Sequence, residues 1–141
     1  MSRMAEIPHV RVVVAEIEED GAFLLTQRRA NAIFPHLWEF PGGRVDEGEA
    51  DADALRRTLL DRLGVHAEII GPSAASAHDY DTYVVELAVL RVRLHERPRA
   101  LKVQDFAWVR PEAFDRYEFP PADRGTVSRL LGLDSGVAEG D

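Results

Sequence analysis

Residues 37–49 read Leu37-Trp38-Glu39-Phe40-Pro41-Gly42-Gly43-Arg44-Val45-Asp46-Glu47-Gly48-Glu49, and a helical stretch follows, closing at Gly64-Val65. A short strand, Leu37–Phe40, is expected to stop at Pro41-Gly42-Gly43. Proline removes a backbone donor, and glycine allows the positive φ of a sharp bend. Behind it, Leu55, Leu59 and Leu63 recur at i, i+4 and i+8, which puts one apolar stripe on a helix over Asp51–Leu63. Asp51 and Asp53 suit its positive N-terminal end, and Gly64 suits the residue just past its C-terminus.

Working outward, Val10–Ile17 and Ala22–Gln27 read as β-branched and apolar strands joined at Asp20-Gly21, a strong hairpin signal. Arg28–Pro35 has no period and reads as a loop. His66–Ile70, Tyr83–Leu94 and Phe106–Val109 are further expected strands, the longest alternating Val85, Leu87 and Val89 with Glu86, Ala88 and Leu90. A last helix is expected at about Ala122–Leu131, after Pro120-Pro121 and closed by Gly132. Strands of mixed length between helices imply an α/β sandwich around a mixed β-sheet. The domain is expected to span residues 9–133, with residues 1–8 and 134–141 as flexible termini.

At 141 residues the chain has room for one core. Its net charge of −8 argues against coating duplex nucleic acid, which needs a basic face, but not against small nucleotides. Zero cysteines rule out disulfides and thiolate metal sites, and the five histidines, at 9, 36, 66, 78 and 95, lack zinc-ligand spacing. Without a membrane-length apolar run or an apolar leader, a cytoplasmic location with no membrane partner is expected. The oligomeric state is left open.

The quoted stretch and its helix resemble the Nudix box of MutT-type proteins, which reads G-x5-E-x7-R-E-U-x-E-E-x-G-U with U a bulky aliphatic residue. Gly43, Glu49, Arg57, Leu59, Gly64 and Val65 fall on that pattern. Leu24-Leu25-Thr26-Gln27-Arg28-Arg29-Ala30 resembles the family's second strand, and Glu118-Phe119-Pro120-Pro121-Ala122-Asp123 the start of its last helix. The resemblance implies a Nudix-type α/β/α sandwich and a cleft in which Arg29, Phe40, Gly42, Gly43, Arg62, Lys102 and Asp123 meet a nucleoside phosphate.

It also implies Mg²⁺, because the box places several carboxylates on one helix face, where hard cations take oxygen ligands and bridge a diphosphate. At the three corresponding positions this chain has Thr58, Asp61 and Arg62, so only Asp61 keeps a carboxylate. Lys102 falls where the family has a fourth acid, with Asp105 the nearby acidic alternative. Cations at two such positions repel Mg²⁺ by about 4 kcal/mol per unit pair at 4 Å, taking an effective dielectric near 20.

Several residues carry two readings. Arg57 either ties the loop to the helix through a carboxylate or belongs to the chemistry, and Glu49 is either that carboxylate or a remaining metal ligand. Asp46, Glu47, Asp51 and Asp53 are either a solvated helix start or replacement metal ligands. Trp38 and Phe40 are core or pocket wall unless Phe40 touches a base. Arg29 is an exposed strand-end residue or a nucleotide contact. Asp123 either caps the last helix or, ionised and accepting only, favours guanine or cytosine over uracil. Without metal, Asp61 is expected to pair with Lys102 or Arg57 at a lowered pKa.

The expected function is nucleoside di- or triphosphate recognition with hydrolysis weak or lost, and with phosphate held by Arg62 and Lys102 without Mg²⁺. One rival is an active Mg²⁺-dependent pyrophosphohydrolase using Glu49, Asp61 and a further carboxylate such as Glu47 or Asp105. The other is a non-catalytic protein-interaction module on the same fold.

Overall fold

The computed structural model describes residues 7–130. Its elements are β1 (His9–Glu16), β2 (Glu18–Glu19), β3 (Ala22–Gln27), β4 (Trp38–Glu39), β5 (Gly42–Arg44), α1 (Asp51–Leu63), β6 (Ala67–Asp79), β7 (Val84–Leu94), β8 (Asp105–Val109), 3-10 turns at Pro111–Arg116 and Pro121–Asp123, and α2 (Arg124–Leu130). Gly132 and the expected flexible tails, apart from residues 7 and 8, lie outside the described residues, as does Leu131. Pro8 is bonded to the sheet, its carbonyl accepting the Val84 N–H at 2.9 Å. Among the described residues no helix is long and apolar enough to cross a membrane.

The fold is α/β, and its strands divide into two four-stranded sheets. One runs β5-β1-β7-β6, with β1 and β7 parallel and the other pairs antiparallel; in the other, β3 carries β2 and β4 and also pairs with β8. Side chains alternate across a strand, so β1 and β7 each serve two cores. Val13, Ala15, Ala88, Leu90 and Val92 face α1, where Leu55, Leu59 and Leu63 are fully buried. Val14, Leu87 and Val89 face Phe23, Phe40, Phe114 and Phe119. Each buried leucine of α1 contributes about 2 kcal/mol.

The helix keeps the limits its stripe implies. Gly64 adopts φ 69° and returns its N–H to the Leu60 carbonyl at 3.0 Å. Asp20 and Gly21, at φ 53° and 84°, make the two-residue turn between β2 and β3. The strand expected at His66–Ile70 extends to Asp79, with register irregularities at Ile69/Gly71 and Pro72/Ala74. As an edge strand, β6 tolerates Pro72 at one of them. The last helix begins as a 3-10 turn at Pro121 and becomes α-helical from Arg124.

One expectation is corrected at the start of the box. Gly42 and Gly43 do not bend the chain at positive φ; they form β5, antiparallel to β1 with Val14 opposite Gly42 and Val13 opposite Gly43. They are required for closeness. A Cβ on Gly42 would land on the Val13 carbonyl oxygen and stand 2.7 Å from Val14 Cα, and one on Gly43 would stand 2.7 Å from Thr58 Cγ2. Gly42→Ala is therefore expected to cost about 3 kcal/mol or more in urea unfolding. Gly71→Ala, with nothing within 4 Å of the added carbon, should leave stability within about 0.5 kcal/mol.

Candidate functional site

Between β1, β5, the C-terminal half of α1 and the loops after β3 and before β8 lies an open cleft of about 710 Å³. Arg29, Phe40, Gly42, Gly43, Asp61, Arg62, Lys102 and Asp123 all line it. Glu49 does not, and its carboxylate is fully engaged elsewhere. Arg57 Nε donates to Glu49 Oε2 at 2.9 Å and Arg57 Nη2 to Glu49 Oε1 at 2.8 Å, while the Asp46 N–H donates to Glu49 Oε1 at 3.0 Å. Arg57 Nη2 also reaches the Arg44 carbonyl at 3.1 Å. This two-pronged pair fixes the loop after β5 to the helix, a geometry suited to guanidinium and carboxylate. The Arg57 hydrogen bonds hold the Glu49 carboxyl down at about 2.

The remaining box positions are also occupied. Thr58 is buried and its hydroxyl donates to the Leu55 carbonyl at 3.2 Å, while its methyl faces Gly43. Arg62 Nη1 donates to the Gly42 carbonyl at 2.7 Å. Asp61 accepts from Lys102 Nζ at 2.8 Å, and that bond, with the Lys102, Arg62 and Arg57 charges behind it, lowers its pKa. The backbone N–H groups of Leu101 and Lys102 both donate to the Arg62 carbonyl, at 3.0 and 3.1 Å, which places the lysine beside the helix end.

The Mg²⁺ implied by the resemblance does not fit these side chains. A magnesium ion wants near-octahedral oxygen ligation, and among the described residues no group of three or more His, Asp or Glu side chains converges on one point. Neither proposed substitute reaches the cleft: Glu47 is exposed, and Asp105 Oδ1 takes the Phe106 N–H at 2.8 Å. The acidic helix start is spoken for as well, Asp51 by Arg11 at 2.6 Å and Asp53 by Arg56 at 3.1 Å. Of the histidines, 9, 66 and 95 pair with Glu86, Glu96 and Glu68, with no partner histidine.

On the cleft's inner side the structure adds residues the sequence reading passed over. Arg28 bonds Glu39 through Nε at 2.9 Å, donates to the Ile33 carbonyl at 2.6 Å, and so straps down the loop after β3. Burial raises the Glu39 pKa against the pull of Arg28 and Arg62. Asp123 is 5% exposed, and burial, then the Glu39 charge, push its pKa well above 3.8 despite Arg28. Burial thus works against the ionised Asp123 expected from the sequence. No side-chain bond caps the 3-10 turn that contains it. Phe40 is 1% exposed, packed on Phe119 and Phe114, and Trp38 packs edge-on to Tyr117. The aromatic wall of the cleft is instead Phe34, Tyr80 and Tyr83, the two tyrosines stacked at 5.1 Å. An arginine and an acid beside apolar neighbours in Arg28 and Glu39 were the available sequence signals.

Two carboxyls give opposite pH responses. Because Glu49 is depressed from 4.5 to about 2, its contribution is present above pH 4.5 and lost as pH falls toward 2. Glu49→Gln should lower the melting temperature at pH 7 and flatten the acid limb over that window, as followed by circular dichroism. Asp123 is raised, so its neutral form stabilises below 3.8 and the benefit fades as pH climbs through the raised value. Asp123→Asn should therefore gain stability relative to the parent as pH rises; a constant difference from pH 4 to 8 would contradict the buried neutral acid.

Comparison with known proteins agrees with the fold. A family model described as a NUDIX domain matches residues 12–129. The chain is similar to a CTP pyrophosphohydrolase of Escherichia coli, 35% identical over 125 residues covering 88% of this chain and 93% of that protein. It is similar to an 8-oxo-dGTP diphosphatase of Haemophilus influenzae, 33% identical over 114 residues covering 80% and 84%. The solution structure of the E. coli ORF135 protein superposes with a TM-score of 0.81 at 30% identity, covering 96% of this chain and 98% of that one. A MutT protein from Methanosarcina mazei shares the fold at a TM-score of 0.79, 22% identity and 92% and 97% coverage. The chain belongs to the Nudix family.

Proposed function

We propose that this Nudix domain recognises a nucleoside di- or triphosphate in the cleft and hydrolyses it weakly or not at all. The observation that carries the reading is the pairing of both remaining acids of the box, Glu49 with Arg57 and Asp61 with Lys102, beside Thr58 and Arg62. Glu49 is held away from the cleft by three hydrogen bonds, and Arg62 and Lys102 put positive charge beside Asp61, which disfavours a metal there. Recognition is supported by the cleft: Phe34, Tyr80 and Tyr83 offer faces to a base, neutral Asp123 offers a donor and an acceptor, and cations line the phosphate side. The names of the two relatives, a CTP pyrophosphohydrolase and an 8-oxo-dGTP diphosphatase, point to the same ligand class. They are also the observation that favours a second reading, an active Mg²⁺-dependent pyrophosphohydrolase.

A nucleotide panel with Mg²⁺ and Mn²⁺, read by phosphate release and thermal shift, separates these. Turnover is expected below about 0.01 s⁻¹, against a typical enzyme median near 10 s⁻¹, while the right nucleotide at 100 times its Kd should stabilise by about 2.7 kcal/mol. Ordinary turnover abolished by Asp61→Ala would establish the active enzyme. No shift with any nucleotide would favour the interaction module. Within the recognition reading, Asp123→Asn should bind the same nucleotide within about threefold, since the amide also presents one acceptor beside a donor, and Asp123→Ala should bind it about tenfold more weakly.

A further inference from the structure

We infer that the cleft grips a polyphosphate chain without a divalent metal, with Arg62 as fixed anchor and Lys102 as a capture group that leaves Asp61 for the phosphate. The inference rests on the proposed nucleotide recognition and names how the phosphate side of that site works.

Charge is the first support. The chain carries a net −8, yet five cationic side chains line the cleft against three carboxylates. Two of those acids, Glu39 and Asp123, sit on its inner side beside Arg28, and burial raises both of their pKa values. Asp61 is therefore the one acid among the lining residues that faces the phosphate side. A positive concavity in an acidic protein concentrates anions.

Placement is the second. Arg62 is already oriented, since its Nη1 is fixed on the Gly42 carbonyl at 2.7 Å and its guanidinium lies over Gly43. The loop that carries Lys102 is tied to the helix end through Arg99 N to Leu63 O at 2.8 Å and through Leu101 N and Lys102 N to Arg62 O. Arg29 Nη2 reaches the Leu101 carbonyl of that loop at 2.9 Å. Three cations from three segments are thus held around one loop before any ligand arrives. Preorganisation of this kind lowers the ordering cost of binding.

The third support is exchange. Lys102 and Asp61 are 59% and 50% exposed, and a pair so exposed is weak. An anion with several charges competes well with a single carboxylate for the ammonium. Mg²⁺ acts in the opposite sense from its usual one: it neutralises the phosphate chain and is itself repelled by Arg62 and Lys102, so it weakens binding. Asp61 changes role accordingly, from metal ligand to a counter-ion that competes with the ligand.

Calorimetry with inorganic tripolyphosphate and with CTP, each in EDTA and in excess Mg²⁺, tests this. Both are expected to bind in EDTA and to weaken about tenfold with Mg²⁺. In EDTA, Asp61→Asn should strengthen binding about threefold and Lys102→Met weaken it about tenfold, both with the parent's melting temperature to within about 3 °C. Since Lys102 is exposed, its variant keeps the test independent of folding even if Arg62→Ala does not fold. Binding that requires Mg²⁺, or that Asp61→Asn abolishes, overturns the metal-free grip. CTP binding only with Mg²⁺ overturns it while leaving nucleotide recognition standing. Tripolyphosphate binding in EDTA without any CTP binding supports the grip and counts only against CTP as the nucleotide, and no binding of either probe overturns the grip, leaving nucleotide recognition to the nucleotide panel.

Discussion

The site depends on how closely β5 is pressed between β1 and α1. Gly42 has no room for a side chain against the Val13 and Val14 backbone, and Gly43 has none against Thr58. Two sheet hydrogen-bond partners and a helix face therefore meet within one strand spacing, which only glycine permits. The Gly42 carbonyl then becomes the acceptor for Arg62. From this contact the helix acquires its distance from the sheet, the Arg62 guanidinium its direction, and the Lys102 loop, bonded to the Arg62 carbonyl, its position.

Two electrostatic regimes follow from that placement. Outside the cleft, Arg57 and Glu49 meet in a two-pronged pair whose main effect is mechanical, holding the loop after β5 against α1. Inside, Glu39 and Asp123 share the cleft's inner side with Arg28, and desolvation dominates both acids. Burial pushes both acids toward the neutral form against the pull of Arg28. The same residue type therefore meets different surroundings on the two sides: Asp61 sits in a half-exposed ion pair, and Asp123 is buried with its pKa raised.

Much of this was legible in the sequence where a local rule governs. The stripe of Leu55, Leu59 and Leu63 with Gly64 behind it set the limits of α1, and Asp20-Gly21 set the first turn. The resemblance to the Nudix box, more than any local rule, put the seven expected ligand contacts and Asp61 together, and all eight line one cleft. Where tertiary proximity governs, the reading changed. Ser73 to Ala77 are small and lack alternation, and they become a strand because β7 is long enough to pair with them. Gly42 and Gly43 were expected for their backbone freedom, but are needed for their missing side chains. The raised pKa of Asp123 and the strap formed by Arg28 both depend on tertiary placement, which no local pattern records.

The substitutions in the box act as a set. Thr58 fits beneath Gly43 as a packed methyl, Arg62 satisfies the Gly42 carbonyl, and Lys102 occupies Asp61. Putting an acid at position 62 alone would set a carboxylate against a carbonyl that has lost its donor, with Lys102 still on Asp61. Replacing Lys102 alone would free Asp61 but leave Arg62 a few ångströms from any metal, a repulsion of several kcal/mol at an effective dielectric near 20. Each cationic change is thus stabilised by the geometry the others create, and single reversals meet an electrostatic cost. A cleft so arranged keeps positive charge at the C-terminal end of α1, with Arg62 fixed on the Gly42 carbonyl and Lys102 beside it.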